Sequence, residues 1–429
     1  MTHPLAIAVK GKGVLNLFKR SLAIGSRYGL TPAKMDHKMG RFAQILDEFD
    51  CGATFPLTAS TLTRSNGILG KYQDCGVEFA VHGDHHIDHS RLSLDQQLDY
   101  LNRARQKFEA YHLGYNGFRC PYLRWNQDTL TALDKLNFSY DSSQALAWDV
   151  VDGFDTEAYH RALEFYRAQS AGDYLSLPHL TGNLVQIPYC LPDDEALVER
   201  LQLTDLKPMS EIWLEMLCIT HELGELFTLG LHPERILLCE GALRAVLTQA
   251  RSMSPPVWVA RLDEIANWWR SRAQTMYQVV KVSEDSFRLT INNPPGMAVV
   301  ARFVTVEAPT MPWTGPYQRV LSDDFVFRAE KLPLVGLAPD SSPALVSFLR
   351  QQGYLIDDRA SAQSCILYLN RKDFAPEDER SLLMQLEKGT WPLLRLARWP
   401  DGAQSALAIT GDIDALTLWD YVLRVLVGG

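Results

Sequence analysis

The chain has 429 residues, of which 46% are hydrophobic and 22% are charged, as in ordinary folded proteins. At roughly 100–200 residues per domain, this length predicts two or three domains. The net charge of −9 argues against a surface built for nucleic acid, and no apolar run reaches the roughly 20 residues of a membrane span. The seven cysteines form no C-x-x-C pair and the N-terminus shows no signal-peptide pattern, so we expect a cytoplasmic protein with reduced thiols.

Short apolar runs alternate with helical stretches from residue 1 to about residue 272. The first strands are predicted at residues 5–9, Ala53–Leu57 and Val77–Val81, and an amphipathic helix is predicted at residues 93–111. Further predicted strands occupy residues 138–140, 185–188 and 226–229. Such alternation predicts parallel strands with crossover helices, and its length favours a closed or nearly closed α/β barrel.

The pattern changes after residue 272. Apolar and polar residues alternate between residues 277 and 304, which predicts antiparallel strands in a small β-rich unit over residues 273–333. Residues 334–404 return to an α/β pattern, with a helix predicted at 343–352 and a strand at 365–369. The last segment, residues 405–429, is predicted to be a strand, a loop and a helix.

The segment richest in chemistry follows the predicted strand Val77–Val81. Four histidines and two aspartates fall between residues 82 and 89. His82 and His86 are four residues apart, as are His85 and His89, so either pair would face one metal ion if the segment were helical. Neutral imidazole suits zinc, iron or nickel, and barrel active sites lie at the C-terminal ends of strands. We therefore favour metal binding over a solvated polar loop.

Other candidate residues also follow predicted strands. Arg119 could orient a catalytic carboxylate or hold an anion, or it could form a surface salt bridge. Trp148 could line a binding groove or pack in the core. His232 stands at a strand end, which suits a general acid, although a lone histidine there is more often structural.

The order and spacing of these segments resemble the polysaccharide deacetylase family, carbohydrate esterase family 4, over roughly residues 1–272. Residues 53–55 are similar to the family's ATFF strand, residues 78–86 to its EIGxHGxxH motif, and residues 119–122 to its R-x-P-Y/F motif. Residues 129–143 resemble its TLxxLxxxGFxYDSS run, residues 231–232 its final histidine motif, and residues 258–272 its closing segment.

The resemblance implies a distorted (β/α) barrel, a divalent metal that is usually zinc, and hydrolysis of an N-acetyl group on an amino sugar. It selects His82 and His86 as metal ligands, Arg119 as the holder of the catalytic base, and His232 as the acid that protonates the leaving amine. It places Trp148 and Tyr122 in the substrate groove.

The family's first motif, T-F-D-D, supplies the base and the third metal ligand after the first strand. Here Lys10 and Lys12 stand in its place and would repel a divalent cation. They could instead bind an anionic group on a substrate. Residues 407–415 resemble the D-x-D form of this motif and align without gaps to residues 5–13, with Asp412 opposite Lys10 and Asp414 opposite Lys12.

Three interpretations of the C-terminal segment remain open. It could insert into the barrel and supply Asp412 as base and Asp414 as metal ligand. It could begin a second deacetylase-like domain, or it could be a strand with a solvated acidic turn. Separately, Lys10 and Lys12 could pair with Asp412 and Asp414 across adjacent strands and hold the segment without any metal. Residues 192–195 offer other carboxylates, for which helix N-capping is the favoured role.

The sequence therefore predicts a metal-dependent hydrolase that acts on a carbohydrate or another small N-acylated substrate. A non-catalytic relative that keeps the barrel as a glycan-binding or scaffold module is the first alternative. A hydrolase of another non-peptide carbon–nitrogen bond is the second, because a shared fold does not distinguish the two chemistries. No nucleic-acid or membrane partner is expected, and the oligomeric state stays open.

Overall fold

The computed structural model describes residues 25–427 except residues 66, 293 and 359–362. The strand predicted at residues 5–9, together with Lys10 and Lys12, therefore lies outside the described residues. The helices in chain order are α1 (Ala33–Glu48), α2 (Gly70–Gln73), α3 (Leu94–Ala110), α4 (Gln127–Lys135), α5 (Glu157–Tyr166), α6 (Leu206–Leu223), α7 (Ile236–Ser252), α8 (Leu262–Ala273), α9 (Pro343–Gln351), α10 (Pro376–Lys388) and α11 (Leu418–Val427).

The strands fall into one large sheet and three smaller ones. Those of the large sheet are β1 (Ala53–Leu57), β2 (Val77–Val81), β3 (Gly117–Phe118), β4 (Tyr140–Asp141), β5 (Ala145–Ala147), β6 (Gln169–Ser170), β7 (His179–Thr181), β8 (Leu184–Gln186), β9 (Tyr189–Leu191), β10 (Leu226–Leu231), β11 (Val257–Val259) and, near the end of the chain, β23 (Ser405–Gly411). Those of the smaller sheets are β12 (Met276–Lys281), β13 (Ser286–Asn292), β14 (Val299–Arg302), β15 (Thr305–Val306), β16 (Thr310–Pro312), β17 (Tyr317–Val320), β18 (Asp324–Arg328), β19 (Leu332–Leu337), β20 (Ile356–Asp357), β21 (Cys365–Leu369) and β22 (Leu393–Leu396).

The large sheet has the order β6-β5-β9-β10-β23-β1-β2-β3-β4-β8-β7, and β11 pairs with β23 beside this path. Its neighbouring strands pair in parallel except β7 and β8, which are antiparallel. Helices connect many of the strands, so the predicted distorted (β/α) barrel with additional β sheets is confirmed.

The C-terminal strand β23 lies at the centre of the large sheet. It pairs with β10 from Leu226↔Ala406 to Leu231↔Gly411, and β11 and β1 share its other edge. All seven of its residues are buried, as an apolar strand with neighbours on both sides requires. The C-terminal segment is therefore part of the barrel and not a separate domain.

The helices α3 and α4 show why the local sequence forms the outer layer. Ser93 and Gln96 make a reciprocal capping box at the start of α3, and Asn126 and Thr129 do the same for α4. The buried side of α3 includes Leu101 and two further residues of the main core, Ala104 and Phe108. The apolar spacing thus turns one helix face toward the sheet.

The remaining strands form a four-stranded sheet β12-β13-β18-β15, a second one β16-β17-β14-β22 and a three-stranded sheet β20-β19-β21. The second sheet joins β14, from the segment predicted as residues 273–333, to β22, from the segment predicted as 334–404. Trp269 of α8 and Trp399 lie 5.6 Å apart, ring centre to ring centre, in the core between this part and the barrel.

None of the helices within the described ranges combines the length and the apolar character that crossing a bilayer would need.

Candidate active site

The loop that follows β23 lies at the C-terminal ends of β1 and β10. The Asp412 amide donates a hydrogen bond to the Leu231 carbonyl (2.9 Å), and the Ile413 amide donates one to the Pro56 carbonyl (2.7 Å). The Thr58 amide in turn donates to the Ile413 carbonyl (3.1 Å). These bonds fix the backbone on both sides of Asp412 and bring the Asp412–Asp414 loop to the sheet edge where barrel active sites form.

Asp414 meets both predicted histidine ligands. Its Oδ1 lies 3.3 Å from Nε2 of His82 and 3.3 Å from Nε2 of His86. All three side chains are buried, and they form one of the described groups with metal-ligand chemistry. His82 and His86 thus come together without the helix that the four-residue spacing suggested. The intervening residues form bends, and Gly83 has φ +77°, a backbone conformation that residues other than glycine rarely adopt.

The protonation of this cluster suits a divalent cation. Nδ1 of His82 donates to the Arg119 carbonyl (2.8 Å), because a carbonyl oxygen can only accept, and in the neutral imidazole this places the lone pair on Nε2. Burial and the Arg424 charge lower the pKa of His86 to about 3, so His86 is neutral at physiological pH. Burial favours protonated Asp414, but Arg424 and the histidines hold the pKa of that carboxyl well below its usual range.

One carboxylate oxygen of the same cluster lacks a hydrogen-bond donor, as expected of a metal ligand. Oδ1 of Asp414 is buried and has no hydrogen-bond partner among the described residues. A buried carboxylate oxygen without a donor is costly unless a cation satisfies it. Two neutral imidazole nitrogens and one carboxylate oxygen are the ligand set of many catalytic zinc sites, so His82, His86 and Asp414 fit a divalent metal ion. The other carboxylate oxygen, Oδ2, pairs with Arg424 of α11.

Arg119 holds the second carboxylate of the loop. It is fully buried, and its Nη1 lies 2.5 Å from Oδ1 of Asp412 and 3.0 Å from Oγ1 of Thr410. Its Nε donates to the Ser142 carbonyl and its Nη2 to the Ser142 hydroxyl, both at 2.9 Å. The guanidinium also stacks over the Tyr189 ring at 4.5 Å. With its donors fixed in this way, Arg119 can hold the Asp412 carboxylate in one orientation.

His232 is held by Asp194, one of the carboxylates of residues 192–195 for which the sequence favoured helix N-capping. Nδ1 of His232 lies 2.6 Å from Oδ1 of Asp194, and the His232 amide donates to Oδ2 (2.7 Å). Burial opposes protonation of His232, but the Asp194 charge outweighs it and the pKa of His232 rises to about 10. His232 is therefore an imidazolium at neutral pH, the protonation state that a general acid needs.

The N-capping interpretation of residues 192–195 applies to Asp193. Its Oδ1 accepts from the Ala196 amide (2.8 Å), and its Oδ2 accepts from the Tyr189 hydroxyl (2.7 Å). Burial and the Asp194 charge raise the pKa of Asp193 to about 6. Asp193, Asp194 and His232 form a second group with metal-ligand chemistry. All four of its carboxylate oxygens already accept hydrogen bonds, so it fits a metal less well than the group containing Asp414.

Tyr189 contacts both Arg119 and Asp193, and the sequence did not predict it as a site residue. Its ring lies under Arg119, and its hydroxyl binds Asp193. A Cβ at Gly230 would lie 1.9 Å from the Tyr189 hydroxyl oxygen, so a glycine is required there. Gly230, within the apolar run Leu229-Gly230-Leu231, was the sequence signal that a large side chain packs there. That signal points to Tyr189 only once β9 and β10 are known to be neighbours.

The two residues predicted for the substrate groove have different surroundings. Tyr122 is half-buried, and its ring meets the His86 ring edge-on at 4.2 Å between centroids. Arg424 lies 5.4 Å from the centre of the same ring. Trp148 is only 6% exposed and belongs to the main core. Substrate contact by either residue stays a prediction.

Comparisons with known proteins concern the part of the chain that carries His82, His86 and Arg119. The sequence model of the polysaccharide deacetylase family matches residues 34–140, which include both histidines and Arg119. A peptidoglycan deacetylase-like protein of Gibberella zeae is 31% identical over 109 residues, which is 25% of this chain and 27% of that protein. The matched region thus spans about a quarter of that relative's length.

The chain is also similar to several solved structures. One is described as a putative polysaccharide deacetylase from Mycobacterium smegmatis, with 24% identity, a TM-score of 0.42, and coverage of 57% of this chain and 81% of that one. Another is described as Puue allantoinase, with 19% identity, a TM-score of 0.43, and coverage of 54% and 72%.

The resemblance recognised from the motifs is confirmed over residues 34–140, which the polysaccharide deacetylase family model matches. The family match ends before the strand that supplies Asp412 and Asp414, so it leaves the completion of the site to the geometry described above.

Proposed function

We propose that this protein is a metal-dependent hydrolase that removes the acetyl group from an N-acetylated sugar or glycan. The observation that supports this most strongly is the meeting of Asp414 with His82 and His86 at 3.3 Å each, although more than 300 residues separate them in the chain. The ligands would be Nε2 of both histidines and Oδ1 of Asp414. A divalent ion bound there would polarise the amide carbonyl and lower the pKa of water.

The base in this proposal is Asp412. Its Oδ1 is occupied by Arg119, so Oδ2 is the oxygen that takes the proton of the attacking water. The buried ion pair with Arg119 holds the Asp412 carboxylate in one orientation, with Oδ2 as the oxygen that accepts this proton. Arg119 positions this base and does not itself touch the substrate.

The acid in this proposal is His232. Asp194 binds Nδ1, which leaves Nε2 as the atom that donates a proton to the leaving nitrogen. Proton donation at this point turns a poor amide leaving group into a free amine. The base and the acid differ because their partners carry opposite charges: Asp412 is paired with the cation Arg119, and His232 is paired with the anion Asp194.

The alternative of a non-catalytic glycan-binding module has one observation in its favour. Arg424 already gives Asp414 a positive partner, so the carboxylate is partly neutralised without a metal ion. A protein of this kind would bind glycan without releasing acetate.

The test is acetate release from N-acetylglucosamine oligomers by protein stripped with a chelator and reloaded with zinc. We expect release by the wild type, a loss of at least about 100-fold in Asp412→Asn, and no loss in the exposed control Asp152→Asn. Binding of the oligomers with no acetate release by any zinc-loaded protein would instead favour the non-catalytic module.

A further inference from the structure

The C-terminal helix α11 has one buried side and one exposed apolar side. Leu418 and Tyr421 pack on the main core, and Arg424 reaches Asp414. The opposite side, here called the outer face, carries four large apolar residues that are 39–72% exposed: Trp419, Val422, Leu423 and Leu426. Their spacing of three, one and three residues places them in one continuous stripe. Single exposed apolar residues are common, but a contiguous stripe indicates a binding surface.

The first described residues lie directly beside this helix. The Leu418 amide, at the start of α11, donates to the Gly29 carbonyl (2.8 Å). The rings of Tyr28 and Tyr421 lie 5.6 Å apart. Residues 28 and 29 therefore lie against the start and the buried side of α11, so the segment before residue 25 begins within a few residues of this helix. Since α11 is about 15 Å long, 24 residues are more than sufficient to follow it.

The composition of residues 1–24 matches an apolar surface on an acidic protein. Val14, Phe18 and Leu22 recur every four residues, and residues 5–9 form a further apolar block. The segment has four basic residues and no acidic residue, in a chain whose net charge is −9. A segment with helical apolar spacing and a positive charge is suited to cover an apolar stripe on such a protein.

We propose that residues 1–24 of the same chain dock on the outer face of α11. The helix is then enclosed between this segment and the barrel, and Arg424 and the Asp412–Asp414 loop are held in place from both sides. This docking is independent of whether the site is catalytic, because it concerns only the surface of α11.

The test is amide hydrogen exchange, read by mass spectrometry, in the full chain. The double variant Phe18→Asp/Leu22→Asp removes the apolar stripe of the segment, and Asn16→Asp/Ala23→Asp, on the opposite side at helical spacing, is its control with the same added charge. We expect exchange within residues 418–427 to accelerate about tenfold or more in the first variant and to stay unchanged in the control. Unchanged exchange in β1 verifies that the barrel is intact.

A reciprocal pair tests the same contact from the other side. Val422→Asp/Leu423→Asp is expected to accelerate exchange in residues 14–24, whereas Leu237→Asp/Leu238→Asp, on the exposed side of α7, is not. Equal exchange of residues 418–427 in the wild type and Phe18→Asp/Leu22→Asp would overturn the proposal. So would protection of α11 that depends on protein concentration and accompanies a dimer in light scattering, because the occupant would then be a second copy.

Discussion

Arg119 and Asp412 are 293 positions apart in the chain, yet they form a buried ion pair with 2.5 Å between Nη1 and Oδ1. Arg119 follows β3, and Asp412 follows β23, the strand at the centre of the sheet. The pair therefore ties the last segment of the chain to the domain that carries the histidines. A site of this kind cannot form until residues 412–414 are present, because they supply the carboxylates that face the histidines and Arg119.

Replacing Arg119 with lysine is expected to damage both stability and activity. Lysine keeps the charge but cannot make the divergent hydrogen bonds to Asp412, Thr410 and Ser142. We expect a loss of about 3 kcal/mol in the free energy of unfolding, measured in urea. We also expect kcat for acetate release to fall with little change in KM, because the base is misplaced while substrate binding is retained. A variant with wild-type kcat would contradict the positioning role.

Replacing Asp194 with asparagine is expected to change the pH dependence of the reaction. The pKa of His232 is about 10 in the native protein, above the value of about 6.5 in an unfolded chain. Protonated His232 therefore contributes stability that is fully present below about pH 6.5 and is lost as the pH rises through about 10. In Asp194→Asn the pKa should fall toward its ordinary value, so activity should decline at a lower pH than in the wild type.

Histidine NMR titration with acetate release at each pH would check this expectation. The exposed variant Asp152→Asn is the control and should titrate as the wild type. An unchanged His232 titration in Asp194→Asn would show that Asp194 does not set the protonation of the acid.

Glu78 is expected to make the barrel less stable as the pH rises. Burial and the Asp263 charge raise its pKa to about 8, even though Thr54 and Tyr140 donate hydrogen bonds to it. The unfolded value is about 4.3, so its favourable contribution is complete below that pH and is lost as the pH rises through about 8. The stability difference between Glu78→Gln and the wild type should therefore shift in favour of Glu78→Gln when the pH is raised from about 5 to about 9.

Urea unfolding at the two pH values measures this difference. The exposed Glu284→Gln serves as the control, with no expected dependence of its effect on pH. The same difference between Glu78→Gln and the wild type at both pH values would contradict the raised pKa.

Arg302 is expected to stabilise the part of the chain beyond the barrel. It is fully buried and donates to the carbonyls of Leu386 (3.0 Å), Glu387 (2.7 Å) and Trp391 (3.2 Å), at and beyond the C-terminal end of α10. Arg302→Met would leave these acceptors buried without donors, at a cost of about 3 kcal/mol. Thermal unfolding measures the loss. The control Arg328→Met removes an exposed ion pair with Glu307 and should leave the transition unchanged. An equal effect of both variants would argue against the capping role.

The strands Ala53–Leu57 and Val77–Val81 could be predicted to the residue, because their apolar runs are short, bounded and fully buried. The helix predicted at residues 93–111 forms with its capping residue Ser93 in place. These features depend on local sequence alone. The resemblance to polysaccharide deacetylases was also recognisable, since three of the motifs that carry it, at residues 53–55, 78–86 and 119–122, lie within the stretch that the family model matches.

The assembly of the site could not be derived in the same way. The alignment of Asp412 with Lys10 suggested insertion of the C-terminal strand, but pairing with β10 across some 180 residues is a tertiary event with no local signal. The contacts of Asp194 with His232 and of Arg424 with Asp414 depend on that same placement. The segment between His82 and His86 is not helical, because Gly83 turns the backbone into a left-handed conformation, so the four-residue spacing alone could not show how the two rings meet.

Zinc content by plasma mass spectrometry tests the central claim, that the C-terminal loop completes a metal site begun by the histidines. The wild type, His82→Ala and Asp414→Ala would each be loaded with zinc and desalted, beside the exposed control Asp152→Ala. We expect about one zinc per chain in the wild type and the control, and loss of most of it in both site variants. Retention of zinc by Asp414→Ala, with loss only in His82→Ala, would contradict the claim, as would a wild type that binds none.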